Sequence, residues 1–118
     1  MFAEAKEACE AMAPGARLAE PRNSAQNQAI KSMLGDNTRA WIGGADNHVG
    51  DSTEGSFVWL SDHSPVTWAD WFPGEPNNGG QWPGQDCMSY YENQWDDASC
   101  DWTRKSVCEK SKHAVVFV

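Results

Sequence analysis

What the 118-residue sequence lacks narrows its role early. No apolar run approaches the about 20 residues that a membrane helix requires, so membrane insertion is not expected. The opening Met1-Phe2-Ala3-Glu4-Ala5-Lys6 reads as an amphipathic helix and not as a signal peptide, which says little about secretion. Basic residues are scarce: nine Lys and Arg are scattered among seventeen Asp and Glu, giving a net charge of -8 and a pI near 4.6. A nucleic-acid groove needs Lys and Arg clustered on one face, so nucleic acid is excluded as a partner. There is no Asn-x-Ser/Thr acceptor for N-linked glycan, no internal repeat, no low-complexity tract and no linker. The length fits a single domain over residues 1–118. His48, His63 and His113 stand in separate segments with no Ser or Cys partner at a recognisable spacing, and no phosphate loop or zinc hydrolase motif is present. No catalytic residues are assigned, and enzyme activity is not expected.

Four cysteines are present, Cys9, Cys87, Cys100 and Cys108, and they allow three pairings. None forms a CxxC pair and no His lies at zinc-ligand spacing from them. An even count in a small, Trp-rich, loop-rich chain points to two disulfides and an oxidising compartment, hence to an extracellular, secreted protein.

The pattern changes along the chain. Phe2, Ala5, Cys9 and Met12 fall at helical spacing, with Pro14-Gly15 ending the helix. Arg17-Leu18-Ala19 suits a brief strand. Asn23-Ser24 offers a cap for a second helix carrying Ala25, Ala29, Ile30, Met33 and Leu34, closed by Gly35. Beyond it, Trp41-Ile42, Phe57–Leu60, Val66–Trp68, Cys87–Tyr91 and Ser106–Cys108 are short aromatic or β-branched runs bounded by turn residues. Two helices followed by several strands predict an α+β domain. Between Trp71 and Asp86 lie Pro73, Gly74, Pro76, Gly79, Gly80, Pro83 and Gly84, a long non-repetitive loop of the kind that carries function. Its Trp71, Phe72 and Trp82 argue against disorder.

Several motifs then stand in order: Trp41-Ile42-Gly43-Gly44, Glu54–Trp59, Trp71-Phe72-Pro73-Gly74-Glu75-Pro76-Asn77, Asp86-Cys87, Gln94-Trp95-Asp96-Asp97, Cys100 and Val107-Cys108-Glu109. Together they resemble the C-type lectin-like domain family, over almost the whole span from Phe2 to Glu109, in its Glu-Pro-Asn form. The resemblance implies two helices with small antiparallel sheets, a long calcium-binding loop, and disulfides pairing Cys9 with Cys108 and Cys87 with Cys100. It also implies a strand ahead of the first helix, and this chain begins almost in the helix. Ala114–Val118 is therefore expected to turn back and fill that strand's slot, as its β-branched run allows.

The resemblance further implies a calcium site formed by Glu75, Asn77, Gln85, Asp96 and Asp97. Calcium takes six to eight hard oxygen ligands, which carboxylates and amides supply. In the family the Pro of Glu-Pro-Asn follows a cis peptide bond, which turns the side chains before and after it toward one point. A second ion is implied at Glu54, Asn78 and Asp86, with Asp46 or Asp51 as fourth ligand. Two vicinal sugar hydroxyls then complete the first ion's shell, each donating to a carboxylate and accepting from an amide. The sugar contacts are Glu75, Asn77, Gln85 and Asp96, with Trp82 positioned either to stack on the apolar face of galactose, which would shift the preference, or to clamp the loop. Sugar-binding members usually have Glu at Gln85 and Asn at Asp96, so here an acid and an amide exchange places while the count of three carboxylates (Glu75, Asp96, Asp97) is kept. Glu-Pro-Asn is associated with mannose, fucose and N-acetylglucosamine. The expected function is thus calcium-dependent carbohydrate binding to a glycoconjugate partner, the oligomeric state being open. The alternative is recognition of a protein, mineral or ice surface without sugar.

Overall fold

The computed structural model describes residues 1–35, 38–46, 57–75, 86–110 and 113–117, with the backbone alone for Asp86 and for 113–117. Two helices, α1 (Phe2–Met12) and α2 (Ser24–Met33), accompany seven strands: β1 (Ala16–Leu18), β2 (Ala40–Asp46), β3 (Phe57–Trp59), β4 (Asp86–Tyr91), β5 (Gln94–Ser99), β6 (Lys105–Lys110) and β7 (His113–Phe117). This is the expected α+β class. The strands join in one seven-stranded sheet with a parallel contact between β2 and β6, instead of separate small antiparallel sheets.

Local chemistry explains the helix ends. The Asn23 side chain accepts a hydrogen bond from the Gln26 amide at 2.9 Å, satisfying one of the free N–H groups of the first turn of α2. Gly15 has φ of +83°, so it takes the left-handed turn after α1. Gly35 does not play that part for α2: the cap is Leu34 in an extended conformation, its N–H bonded to the Ile30 carbonyl at 3.1 Å. Each helix buries a narrow stripe, Phe2, Ala5 and Cys9 on α1 and Asn27 and Ile30 on α2, and leaves the outlying Met12 and Met33 exposed.

The sheet carries a core on each face, because successive side chains of a strand point oppositely. Ile42, Met88, Tyr90, Trp95 and Val107 join Ile30 and Leu34 from α2 on one side. Trp41, Cys87, Ala98 and Cys108 join Phe2, Ala5 and Cys9 from α1 on the other. Close strand contact within the sheet depends on small residues. A Cβ built on Gly44 would stand 2.2 Å from the Met88 sulfur, and one on Gly43 would stand 2.9 Å from the Leu18 carbonyl oxygen. Val66–Trp68, expected as a strand, makes only an isolated bridge nearby, Val58 to Pro65, while Val66 and Trp68 still pack on the core.

The β4–β5 hairpin sets the register on which the site depends. Glu92 and Asn93 both have positive φ, +47° and +72°, between the paired Tyr91 and Gln94. Two left-handed residues form the tight turn whose twist matches that of antiparallel strands. At the other end of the fold, β7 pairs antiparallel with β6 from Ser106↔Phe117 to Lys110↔His113. The run expected to turn back thus lies beside the last core strand as far as Phe117, and Val118 lies outside the described residues.

Cys9 is bonded to Cys108 and Cys87 to Cys100, the pairing the resemblance implied. The first spans 99 residues and the second 13. In the chain-entropy account a crosslink stabilises in proportion to the logarithm of the loop it closes. Replacing Cys9 and Cys108 together by Ala should therefore cost roughly 1–2 kcal/mol more than replacing Cys87 and Cys100. Urea unfolding of the two variants measures the difference, and equal losses would place the stabilisation elsewhere than in loop closure.

Candidate functional site

Trp95 is the residue around which the candidate site is arranged. It is fully buried, and the rings of Trp59, Trp68 and Trp71 meet it edge-on at centroid distances of 5.8, 5.7 and 5.8 Å. Such edge-to-face contacts place the positive rim of one ring against the negative face of another. Its indole N–H donates to Asn27 Oδ1 at 3.0 Å, and the Tyr90 hydroxyl donates to the same oxygen at 2.5 Å. Burial holds the Tyr90 phenol above its usual range, so it remains a donor. The Asn27 amide in turn donates to Asp70 Oδ2 at 2.8 Å, where Lys31 also reaches at 3.1 Å.

This network holds the segment leading to Glu75 against β5. The Trp95 N–H donates to the Asp70 carbonyl and the Phe72 N–H to the Trp95 carbonyl, both at 2.8 Å, and Trp71 bridges Trp95 in parallel. The Glu75 N–H then closes a turn onto the Phe72 carbonyl at 2.8 Å, with Pro73 second and Gly74, at φ +91°, third. Pro pre-sets the second position of such a turn and Gly supplies the positive φ of the third. Glu75 is therefore one turn away from a residue bonded to Trp95, and Asp97 is two residues along from it. Glu75 is half-buried with its Oε1 shielded from solvent, and Asp97 is only 3 % exposed.

The neighbouring acids do not share a face of β5. Asp97 follows Trp95 at the strand's two-residue period, whereas Asp96 points oppositely. There Ser89 Oγ and Arg104 meet it: the hydroxyl donates to Asp96 Oδ1, and Arg104 Nη1 lies 3.4 Å from Oδ2 and donates to Ser89 Oγ at 2.8 Å. Burial pushes the Asp96 carboxyl up, offset in part by Ser89 and Arg104; burial likewise lowers Arg104, offset by Asp96. Sequence reasoning missed Arg104 altogether. The signal available was an Arg two residues after Trp102, between β5 and β6, which nothing in the sequence ties to Asp96.

Asp46 ends β2 half-buried, and Asp86 opens β4. Glu54, Asn77, Asn78, Trp82 and Gln85, with Asp51, lie outside the described residues. Among the described residues no group of three or more His, Cys, Asp or Glu side chains gathers at one point. The donors the structure does bring beside Trp95 are carboxylates, and all four cysteines are in disulfides. That chemistry fits a hard cation such as calcium and not a soft one held by thiolate.

The domain with this fold and loop is a C-type lectin domain. The family model described as Lectin C-type domain matches residues 1–110, and the chain belongs to that family, a family of binding modules. It is 39 % identical over 87 residues to a mannose-binding protein of Gallus gallus, covering 73 % of this chain and 31 % of that protein. It is 32 % identical over 111 residues to pulmonary surfactant-associated protein D of Sus scrofa, covering 92 % of this chain and 28 % of that one. The chain thus spans less than a third of the length of these relatives. Among solved structures, the mouse scavenger receptor C-type lectin carbohydrate-recognition domain superposes with a TM-score of 0.78 at 34 % identity, covering 98 % of this chain and 84 % of that one.

Asn27 offers a direct check on the network. In Asn27→Ala, the buried Tyr90 hydroxyl and Trp95 indole N–H lose their partner, and the half-buried Asp70 loses one of its bonds. A loss of about 3 kcal/mol is expected, at about 1–3 kcal/mol per unmet buried group with partial relaxation. Urea unfolding, followed by tryptophan fluorescence, measures it; a loss below about 1 kcal/mol would show that Trp95 is held by ring packing alone.

Proposed function

We propose that the chain is an extracellular, secreted carbohydrate-binding module that uses calcium, with a preference for mannose, fucose or N-acetylglucosamine. Membership of the Lectin C-type domain family and the likeness to proteins named for mannose and carbohydrate recognition support this reading. The observation that carries it is the docking of the Glu75 turn on the Trp95–Asp97 strand, which joins two carboxylates from distant parts of the chain through one buried tryptophan. The ligands proposed for the ion are Glu75, Asn77, Gln85, Asp96 and Asp97, with Glu54, Asn78 and Asp86 for a second. When bound, calcium would supply coordination positions for two vicinal sugar hydroxyls.

The residues around it act by hydrogen bonding. Glu75 accepts from one hydroxyl while the Asn77 amide donates to it. Gln85 donates to the second hydroxyl while Asp96 accepts from it, and the polarity of that pair is reversed from the usual order. With a mannose-type preference, Trp82 serves as the loop clamp, since a ring face stacked on a sugar would favour galactose. A single shallow site of this kind binds weakly, so clustering of several copies would raise the avidity.

An ion bound only by the folded chain adds RT ln(1 + [L]/Kd) to stability, about 2.7 kcal/mol at a hundredfold excess over Kd. Thermal unfolding of the oxidised chain should accordingly shift upward in millimolar calcium, and Asp97→Ala should abolish the shift. The wild-type chain should also be retained on immobilised mannan in calcium and released by free mannose. A calcium shift without mannose release would favour a protein, mineral or ice surface as the target. No shift at all would refute the calcium reading.

A further inference from the structure

Trp41, Ser89 and Asp96 form a row across three adjacent strands, Trp41 opposite Ser89 and Ser89 opposite Asp96. Arg104 lies across that row. Its guanidinium sits 5.4 Å from the ring centroid of Trp41 and 5.5 Å from that of Trp102, so it is held between two indoles. From there it donates to Ser89 at 2.8 Å and pairs with Asp96 at 3.4 Å, with only 5 % of its side chain exposed. Arg39, stacked at 4.8 Å on the ring of Tyr91, adds a second positive charge acting on Asp96.

A guanidinium fixed in this way cannot follow its partner. Removing one member of a buried ion pair leaves the other uncompensated, and that is strongly unfavourable. A cation at the loop can take Asp96 as a ligand only by drawing the carboxylate away from Arg104 and Ser89. An Asn at this position carries no charge to be withdrawn from Arg104. Asp97 points to the other face of β5, and Glu75 comes from a separate segment.

We infer that Arg104 is an affinity-determining residue of this domain: by holding Asp96 it competes with calcium and weakens binding at the loop. The inference rests on the calcium reading above, and the test separates the two. Calcium binding to the oxidised whole chain is measured by calorimetry for wild type, Asp96→Asn and Arg104→Met, with near-ultraviolet circular dichroism to verify folding. The Asn variant keeps the shape and the acceptor for Ser89; the Met variant keeps an apolar stem between Trp41 and Trp102.

Both variants are expected to bind calcium more tightly than wild type, on the order of tenfold, the effect of about 1.4 kcal/mol. Binding by the variants where wild type shows none would support the inference equally, the ion pair then masking the site. Unchanged or weaker binding in folded Asp96→Asn overturns it, and leaves the calcium reading intact if wild type itself binds. Should one variant fail to fold, the other alone decides. No binding by any of the three proteins refutes both.

Discussion

The hydrogen bond from the Trp95 indole to Asn27 is the interaction on which the rest of the architecture depends. It ties β5 to α2, and through the Asn27 amide it ties both to Asp70. Asp70 and Phe72 are in turn paired by backbone bonds to Trp95 itself. A closed circuit results, in which one buried side chain fixes a helix, a strand and the start of the long loop. Polar groups buried this deeply are costly unless every one is satisfied, so the circuit admits few alternative arrangements. Three further indoles pack edge-on around the ring and exclude water from those bonds. Rigidity at this point gives Glu75 and Asp97 fixed positions beside Trp95.

The same constraint decides where charges go. With Trp95 committed to the α2 face, the two-residue period of β5 sends Asp97 with it and turns Asp96 to the α1 face. The tight turn at Glu92-Asn93 sets Asp96 opposite Ser89, and the β2–β4 pairing sets Ser89 opposite Trp41. A one-residue slip of the hairpin would exchange the two acids between faces. The positive φ at both turn residues is therefore as much a part of the site as the acids are.

The helices, the strand at Cys87–Tyr91 and the class of fold were legible in the sequence because periodicity and caps are local signals. Asn23 before Ser24 and Pro14-Gly15 after α1 did what their chemistry dictates. Gly35 did not, because the end of α2 is closed by a backbone bond from Leu34 and needs no left-handed residue. Val66–Trp68 has strand-like composition, yet these residues serve the core as packing around Trp95 and make no extended pairing. Within the candidate site, Glu75, Asp96 and Asp97 could be named from motif order, and so could the disulfides. The pairing of Asp96 with Arg104 and the role of Asn27 could not. Both follow from contacts between residues 8 to 68 positions apart, which no local pattern encodes.

Counting acids along the sequence suggests that Gln85 and Asp96 offset each other, an amide and an acid exchanged with the total preserved. Geometry gives a different partner. Arg104 is buried between Trp41 and Trp102, and a guanidinium in that setting needs a negative charge beside it, since desolvation works against the cation. Asn at position 96 would supply a hydrogen-bond acceptor but no charge; Asp supplies both. Asp96 is thus paired with Arg104, and of the three carboxylates counted in the sequence one is already engaged within the fold. Part of the negative charge of this domain is thus directed to a cation on the far side of β5 from Asp97.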